Sequence, residues 1–255
     1  MHLDVPTTLL AALAASLFAL LPQHAAQGQD PVKRAEPSST VPQPRTEEWG
    51  IGREKECIRR AREAKPAKVV FVGDSITQGW EGEGSEFWAQ RFEKLGALNL
   101  GNSGDRTEHV LHRLKEAPLT RLSPEHVVLM IGTNNLGHGA SNADETLAGV
   151  KAVVDLLVAQ CDGATVHVLE IFPRGERINA MRGDIAQINQ ALRAYVNEEN
   201  SKQKQGRPRR AVHAIGDLFV DSRGEISASV MPDALHLSKD GYRIWGEALL
   251  PLVSK

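Results

Sequence analysis

The chain alternates short blocks of continuous apolar residues with longer blocks in which they recur every three or four positions. Val69-Val-Phe-Val72 has four apolar residues in a row, three of them β-branched, the pattern of a strand buried on both faces. His126 to Ile131 repeats it, and Ala97–Leu100, Thr165–Ile171 and Ala211–Ile215 read as further short strands. Helical stretches lie between them. Ala143–Gln160 carries Leu147, Val150, Val153, Val154 and Leu157, a spacing that gathers them on one packed helix face. Helices are also expected over Ile51–Lys65, Glu86–Leu95, Thr107–Leu114, Asp184–Glu199 and Gly241–Val253. Strands separated by helices in this way call for a parallel sheet covered on both sides. The expected fold is a three-layer αβα sandwich, class α/β, around a roughly five-stranded parallel sheet.

The N-terminal part follows a different pattern. Thr7 to Leu21 is almost unbroken Ala, Leu, Ser and Phe, followed by Pro22 and the small-residue patch Ala25-Ala26-Gln27-Gly28. This apolar core is short for a membrane span and matches the centre of a secretory leader. Residues 1–28 are therefore read as an export signal and the chain as a periplasmic or secreted protein. His2 and Asp4 stand where basic residues are usual, which keeps an uncleaved anchor as the alternative. Residues 29–47 are rich in Pro, Ser, Gln and charge, with no apolar period, and read as a disordered linker. Residues 48–255 form the expected domain.

With 255 residues, 41% hydrophobic and 24% charged, the chain is long enough for one full core plus this tail. A net charge of −2 gives no reason to expect a nucleic-acid partner. The basic run Lys202 to Arg210 contains no interleaved aromatic residue and reads as a solvated loop. Cys57 and Cys161 could pair or could both be small buried hydrophobes. His109 and His112 lack nearby Cys or carboxylate ligands in metal spacing, so they read as helix surface rather than a metal site.

Chemistry enters at the strand ends. The first buried run stops at Gly73-Asp74-Ser75, at the carboxyl edge where open α/β sheets keep their sites. A serine there, beginning a helix, has free N–H groups and a positive dipole end beside it. Ser75 is the candidate nucleophile. Gly104 follows the second strand and Asn134 the third, so a backbone N–H and a side-chain amide could join the Ser75 N–H in an oxyanion hole. Asp233 and His236 precede the closing helix, where the imidazole could take the serine proton while the carboxylate fixes its tautomer. Each stretch alone could be an ordinary turn or cap. Three of the four lie directly after a predicted strand, and that common place is what points to a site. Arg106 and Arg174 adjoin these motifs but read as surface ion pairs with acids such as Asp105 or Glu176.

These stretches resemble the four blocks of the SGNH, or GDSL, hydrolase superfamily. They are Gly73-Asp-Ser-Ile-Thr, Gly104 within Asn99-Leu-Gly-Asn-Ser-Gly-Asp105, Gly132-Thr-Asn-Asn and Asp233-Ala-Leu-His236, in the superfamily's order, across about Ala67 to Leu250. Asn99 to Leu114, Gly132 to His138, Phe172-Pro-Arg-Gly175 and Leu235-His-Leu-Ser238 are similar in detail to the catalytic subunits of intracellular platelet-activating-factor acetylhydrolases. The resemblance implies a flavodoxin-like fold and a serine esterase without metal or cofactor. It also implies a Ser75, His236 and Asp233 triad and an oxyanion hole from Ser75, Gly104 and Asn134. The substrate expected is a small-molecule or glycan ester, with short acyl groups, acetyl foremost, on carbohydrate or lipid-like alcohols. An acyltransferase using the same residues and a non-catalytic glycan-binding domain are the alternatives. No stable membrane insertion is expected after processing, and the oligomeric state is left open.

Overall fold

The computed structural model describes residues 36–203, 206 and 208–254. The apolar leader expected at 1–28 lies outside them, as do Lys204, Gln205 and Arg207 of the basic run. The five expected strands form as β1 (Val69–Gly73), β2 (Ala97–Gly101), β3 (His126–Met130), β4 (Thr165–Leu169) and β5 (Arg210–His213). All neighbours are parallel, in the order β2-β1-β3-β4-β5. This is the flavodoxin-like order, in which the chain leaves β1 first to one side and then to the other, opening a crevice at the carboxyl ends of β1 and β3.

The helices are α1 (Glu48–Glu63), α2 (Ser75–Gln78), α3 (Thr107–Glu116), α4 (Thr133–Gly137), α5 (Ala143–Gln160), α6 (Ala180–Ser201) and α7 (Lys239–Val253). Alternating strand residues feed two cores. Val70, Val72, Val127, Leu129, Val166 and Val168 pack against Cys57 and Ala61 of α1, Val110 and Leu111 of α3, the apolar stripe of α5 and Leu192 of α6. Val69, Phe71, Val128, Met130 and Leu169 pack on the other face, against Trp80, Phe92 and the α7 residues Tyr242, Trp245 and Leu249. The edge-on contacts of Phe71 with Trp80, Trp88 and Phe92 fill the space beneath the first strand end. Cys57 and Cys161 are both buried free thiols.

Two expectations change. The helix expected at Glu86–Leu95 is a chain of short turns, Ser85–Phe87, a wide-pitched Trp88–Phe92 and a tight Glu93–Leu95. Its aromatic residues are pulled onto the Phe71 core, and this packing overrides a regular helix.

The second change concerns the linker. Its described part, 36–47, is packed onto the domain rather than disordered. Ser39 is buried, its hydroxyl donates to Glu145 O at 2.6 Å, and its carbonyl accepts from Thr107 Oγ1 at 2.8 Å. Buried Arg45 donates to Ser103 O at 2.6 Å and to Asp105 Oδ1 at 2.9 Å. The segment is held by polar anchors with distant partners, which no local apolar period reveals.

Candidate active site

Gly73, Gly101 and Met130 are aligned in the sheet register, so the stretches after β1, β2 and β3 start at one level. Position 73 has no room for a side chain: a Cβ there would lie 2.2 Å from Thr77 Oγ1 and 2.3 Å from Met130 O. That close approach lets the backbone turn at once from strand into α2. Asp74 caps the helix, accepting from the Ile76 N–H at 3.0 Å, and Ser75 becomes its first residue, half-buried at the crevice. Asp74 itself is fully buried, with Oδ2 lacking a partner among the described residues. Burial, with help from the charge of Asp105, pushes its carboxyl up to about 7.

The loop before α7 approaches from the other face. Asp233 Oδ1 accepts from the N–H groups of Leu235 at 3.0 Å and His236 at 2.6 Å. Ala234 is held at φ +56, in the left-handed region, and reverses the chain between them. This fold-back brings His236 Nδ1 to 2.6 Å from Asp233 Oδ2 and His236 Nε2 to 2.9 Å from Ser75 Oγ. Burial alone would raise the Asp233 carboxyl. The bonds from the His236 ring and from the two N–H groups override it and hold the acid below the ordinary carboxylate range. A carboxylate can only accept, so Nδ1 carries the ring proton and Nε2 presents its lone pair to the serine hydroxyl. On the far side Tyr242 O–H donates to Ile76 O at 2.7 Å, joining α7 to α2.

Gly104 and Asn134 occupy the expected strand-end loops. The β2 loop is tied to α2 by Ser103 N–H on Gln78 Oε1 at 2.7 Å and by Asn99 Nδ2 on Thr77 O at 3.0 Å. Gly104 adopts φ +71, and a Cβ there would come within 2.5 Å of the Trp49 ring; both strain and contact select glycine. Among the described residues neither the Gly104 N–H nor the Ser75 N–H donates to another group. Asn134 is buried, and one of its amide hydrogens is spent on Asp105 O at 3.0 Å. This bond fixes the amide plane and leaves the second hydrogen for a ligand. Asp105 is anchored in turn by Asn102 Nδ2 at 3.0 Å, by Arg45 and by a short pair with Arg113.

Around this constellation several expectations shift. His109 is buried in α3 rather than exposed; its Nδ1 accepts from the Arg106 N–H at 3.1 Å, and burial lowers its pKa to about 4. His112 pairs with Glu54 across 3.1 Å. Among the described residues no group of three or more His, Cys, Asp or Glu side chains is placed to hold a metal. Arg106 forms an ion pair, with Glu108. Arg174 does not pair with Glu176: its guanidinium donates to the carbonyl and hydroxyl oxygens of Thr133 at 3.2 and 3.3 Å. Trp49, 60% exposed, lies against Gly104 beneath the Arg45 guanidinium, 4.6 Å from the ring centre. No periodic signal marks Arg45 or Trp49, because each is placed by partners far away in the chain.

Known proteins resemble this chain in sequence and in fold. The model of the GDSL-like Lipase/Acylhydrolase family matches residues 71–244. The human platelet-activating factor acetylhydrolase IB subunit alpha1 is 39% identical over 178 residues, 70% of this chain and 71% of that protein. The rat alpha2 subunit is 37% identical over 181 residues, covering 70% and 72%. Among solved structures, a GDSL-like lipase from Bacteroides thetaiotaomicron superposes with a TM-score of 0.64 at 21% identity, covering 79% of this chain and 97% of that one. An acetyl xylan esterase superposes with a TM-score of 0.58 at 22% identity, covering 72% and 98%. With the family model spanning β1 to α7 and the relatives sharing more than a third of their aligned residues, the chain belongs to the GDSL-like lipase/acylhydrolase family and is a carboxylic ester hydrolase.

Proposed function

We propose that the enzyme removes short acyl groups, acetyl foremost, from carbohydrate or lipid-like alcohols through an acyl-serine intermediate. The observation that carries this reading is the unbroken chain Ser75 Oγ, His236 Nε2, His236 Nδ1, Asp233 Oδ2, with links of 2.9 and 2.6 Å. His236 takes the Ser75 proton as Oγ bonds to the ester carbonyl carbon. The carbonyl oxygen becomes an oxyanion facing the N–H groups of Ser75 and Gly104 and the second amide hydrogen of Asn134. Collapse breaks the bond to the alcohol oxygen, which leaves with the proton from His236. Water then enters, gives its proton to His236, and releases the carboxylic acid while Ser75 regains its hydrogen.

The acyl and alcohol parts rest on further support. The relatives named for acetyl hydrolysis favour a small acyl group. Trp49 supplies an exposed flat ring beside Gly104, a surface on which the apolar face of a sugar or a lipid-like chain can lie. Export from the cytoplasm accords with the apolar run Thr7–Leu21 and predicts recovery of the mature enzyme outside the cytoplasm on fractionation. Turnover of p-nitrophenyl esters of increasing chain length, beside acetylated xylan and acetylated sugars, tests the substrate. Acetyl esters should lead, with rates falling as the chain lengthens; a preference for long acyl chains would overturn the short-acyl reading. Product analysis with added alcohols should show free acid rather than transferred ester.

A further inference from the structure

Arg174 lacks the acid partner that Arg45 and Arg106 have, and its guanidinium is less fully engaged than that of Arg182, since only Nη1 donates. Arg45 faces Asp105 and Glu47, Arg106 faces Glu108, and Arg182 gives its guanidinium to the backbone oxygens of Arg174, Gly175 and Gly224. Half-buried Arg174 meets only the two neutral oxygens of Thr133. Among the described residues no carboxylate lies in ion-pair contact with it.

Its place is well defined. A Cβ on Gly137 would lie 2.2 Å from Arg174 Nη1, so the guanidinium rests on the backbone of α4, the helix that carries Asn134. The next residue, Gly175, donates to Ala234 O at 2.8 Å, inside the loop between Asp233 and His236. Arg174 therefore bridges the Asn134 helix and the His236 loop. Asp74 and Asp233 are close enough for their charge to be felt at Arg174, which burial holds below the usual arginine range. Neither pairs with it: Asp74 caps α2 through the Ile76 N–H, and Asp233 holds His236. Exposed His138 caps the C-terminal end of α4. Burial, then the charges of Arg106 and Arg174, keeps its pKa below the ordinary value. An arginine fork without an acid is suited to a planar oxyanion.

The side of the ester follows from the chemistry. His236 must hand its proton to the departing alcohol, so the alcohol part lies toward the loop that Gly175 clasps. Building on the esterase reading, we propose that Arg174 is a specificity-determining residue that pairs with an anionic oxyacid group, carboxylate or phosphate, carried on the alcohol part of the substrate.

The test compares kcat/KM on two matched pairs of acetyl esters. One pair is an acetylated methyl glucuronoside against the acetylated methyl glucoside; the other is 1-acetylglycerol 3-phosphate against 1-acetylglycerol. The wild type should favour the charged member of at least one pair about tenfold, and the pair that responds tells carboxylate from phosphate. Arg174→Gln should bring that ratio near one, mainly through KM, and Arg174→Lys should restore part of it. Should Arg174→Gln fail to fold, added salt applied to the wild type serves instead and should erode the preference. A wild-type ratio near one in both pairs, or a ratio unchanged in Arg174→Gln, would overturn the proposal while leaving the esterase reading intact. No turnover of any of the four, with Ser75 unlabelled by a fluorophosphonate, would overturn the esterase reading and this inference with it.

Discussion

Two aspartates flank the same serine and are placed in opposite ways. Asp74 precedes Ser75 at the end of a strand buried on both faces; it is inaccessible, one of its oxygens has no partner among the described residues, and its carboxyl is pushed up to about 7. Asp233 comes from an exposed loop before α7, receives two backbone N–H groups and an imidazole, and is held below the ordinary range. The supply of hydrogen bonds to the charged form separates their roles. The well-supplied acid stays ionised and can stabilise an imidazolium. The starved one shapes the turn that presents the serine.

The largest effect is expected at Asp233. In Asp233→Asn the amide oxygen should keep the two backbone N–H bonds, turning the NH2 toward His236 Nδ1. The proton would then move to Nε2, and the ring could no longer accept from Ser75. A loss of about 10³–10⁴ in kcat is expected with KM little changed, measured on p-nitrophenyl acetate. A smaller effect is expected where the contribution is one hydrogen bond in the transition state. Asn134→Ala should lower kcat about 10²–10³-fold; near-full activity would remove Asn134 from the oxyanion hole.

Asp74 should register in stability. Its folded pKa is raised, so the native state holds a proton that the unfolded chain releases near pH 4. The stabilising contribution is complete below that pH and is lost as pH rises toward about 7. Three pKa units correspond to about 4 kcal/mol. Urea unfolding of wild type and Asp74→Asn across pH 4 to 7 should show stability falling with pH in the wild type relative to the variant. Parallel curves would mean that Asp74 is ionised throughout.

The same contrast explains what could be read from the sequence. The five strands and the α5 stripe were legible because burial on a sheet or on one helix face repeats at a fixed spacing. Ser75, Gly104, Asn134, Asp233 and His236 were legible because each stands in a short stretch of unusual turn residues next to a predicted element. Arg45, Trp49 and Arg174 carry no such mark. Arg45 is buried by Asp105, 60 positions away, and Arg174 is placed by Thr133, 41 positions away; pairing over that separation leaves no local trace. His109 reads as helix surface from spacing alone, yet it is buried, its ring turned back onto Arg106 at the start of α3. The Ser85–Leu95 turns show the converse, a helical pattern overridden by aromatic packing.

In the proposed mechanism His236 makes the Ser75 hydroxyl a nucleophile. Fluorophosphonate labelling followed by peptide mass spectrometry tests it most directly, run on the wild type and on His236→Gln. The account predicts stoichiometric modification of Ser75 in the wild type and a rate at least about 10³-fold lower in the variant. Equal labelling of the two proteins, or modification at a residue other than Ser75, would contradict it.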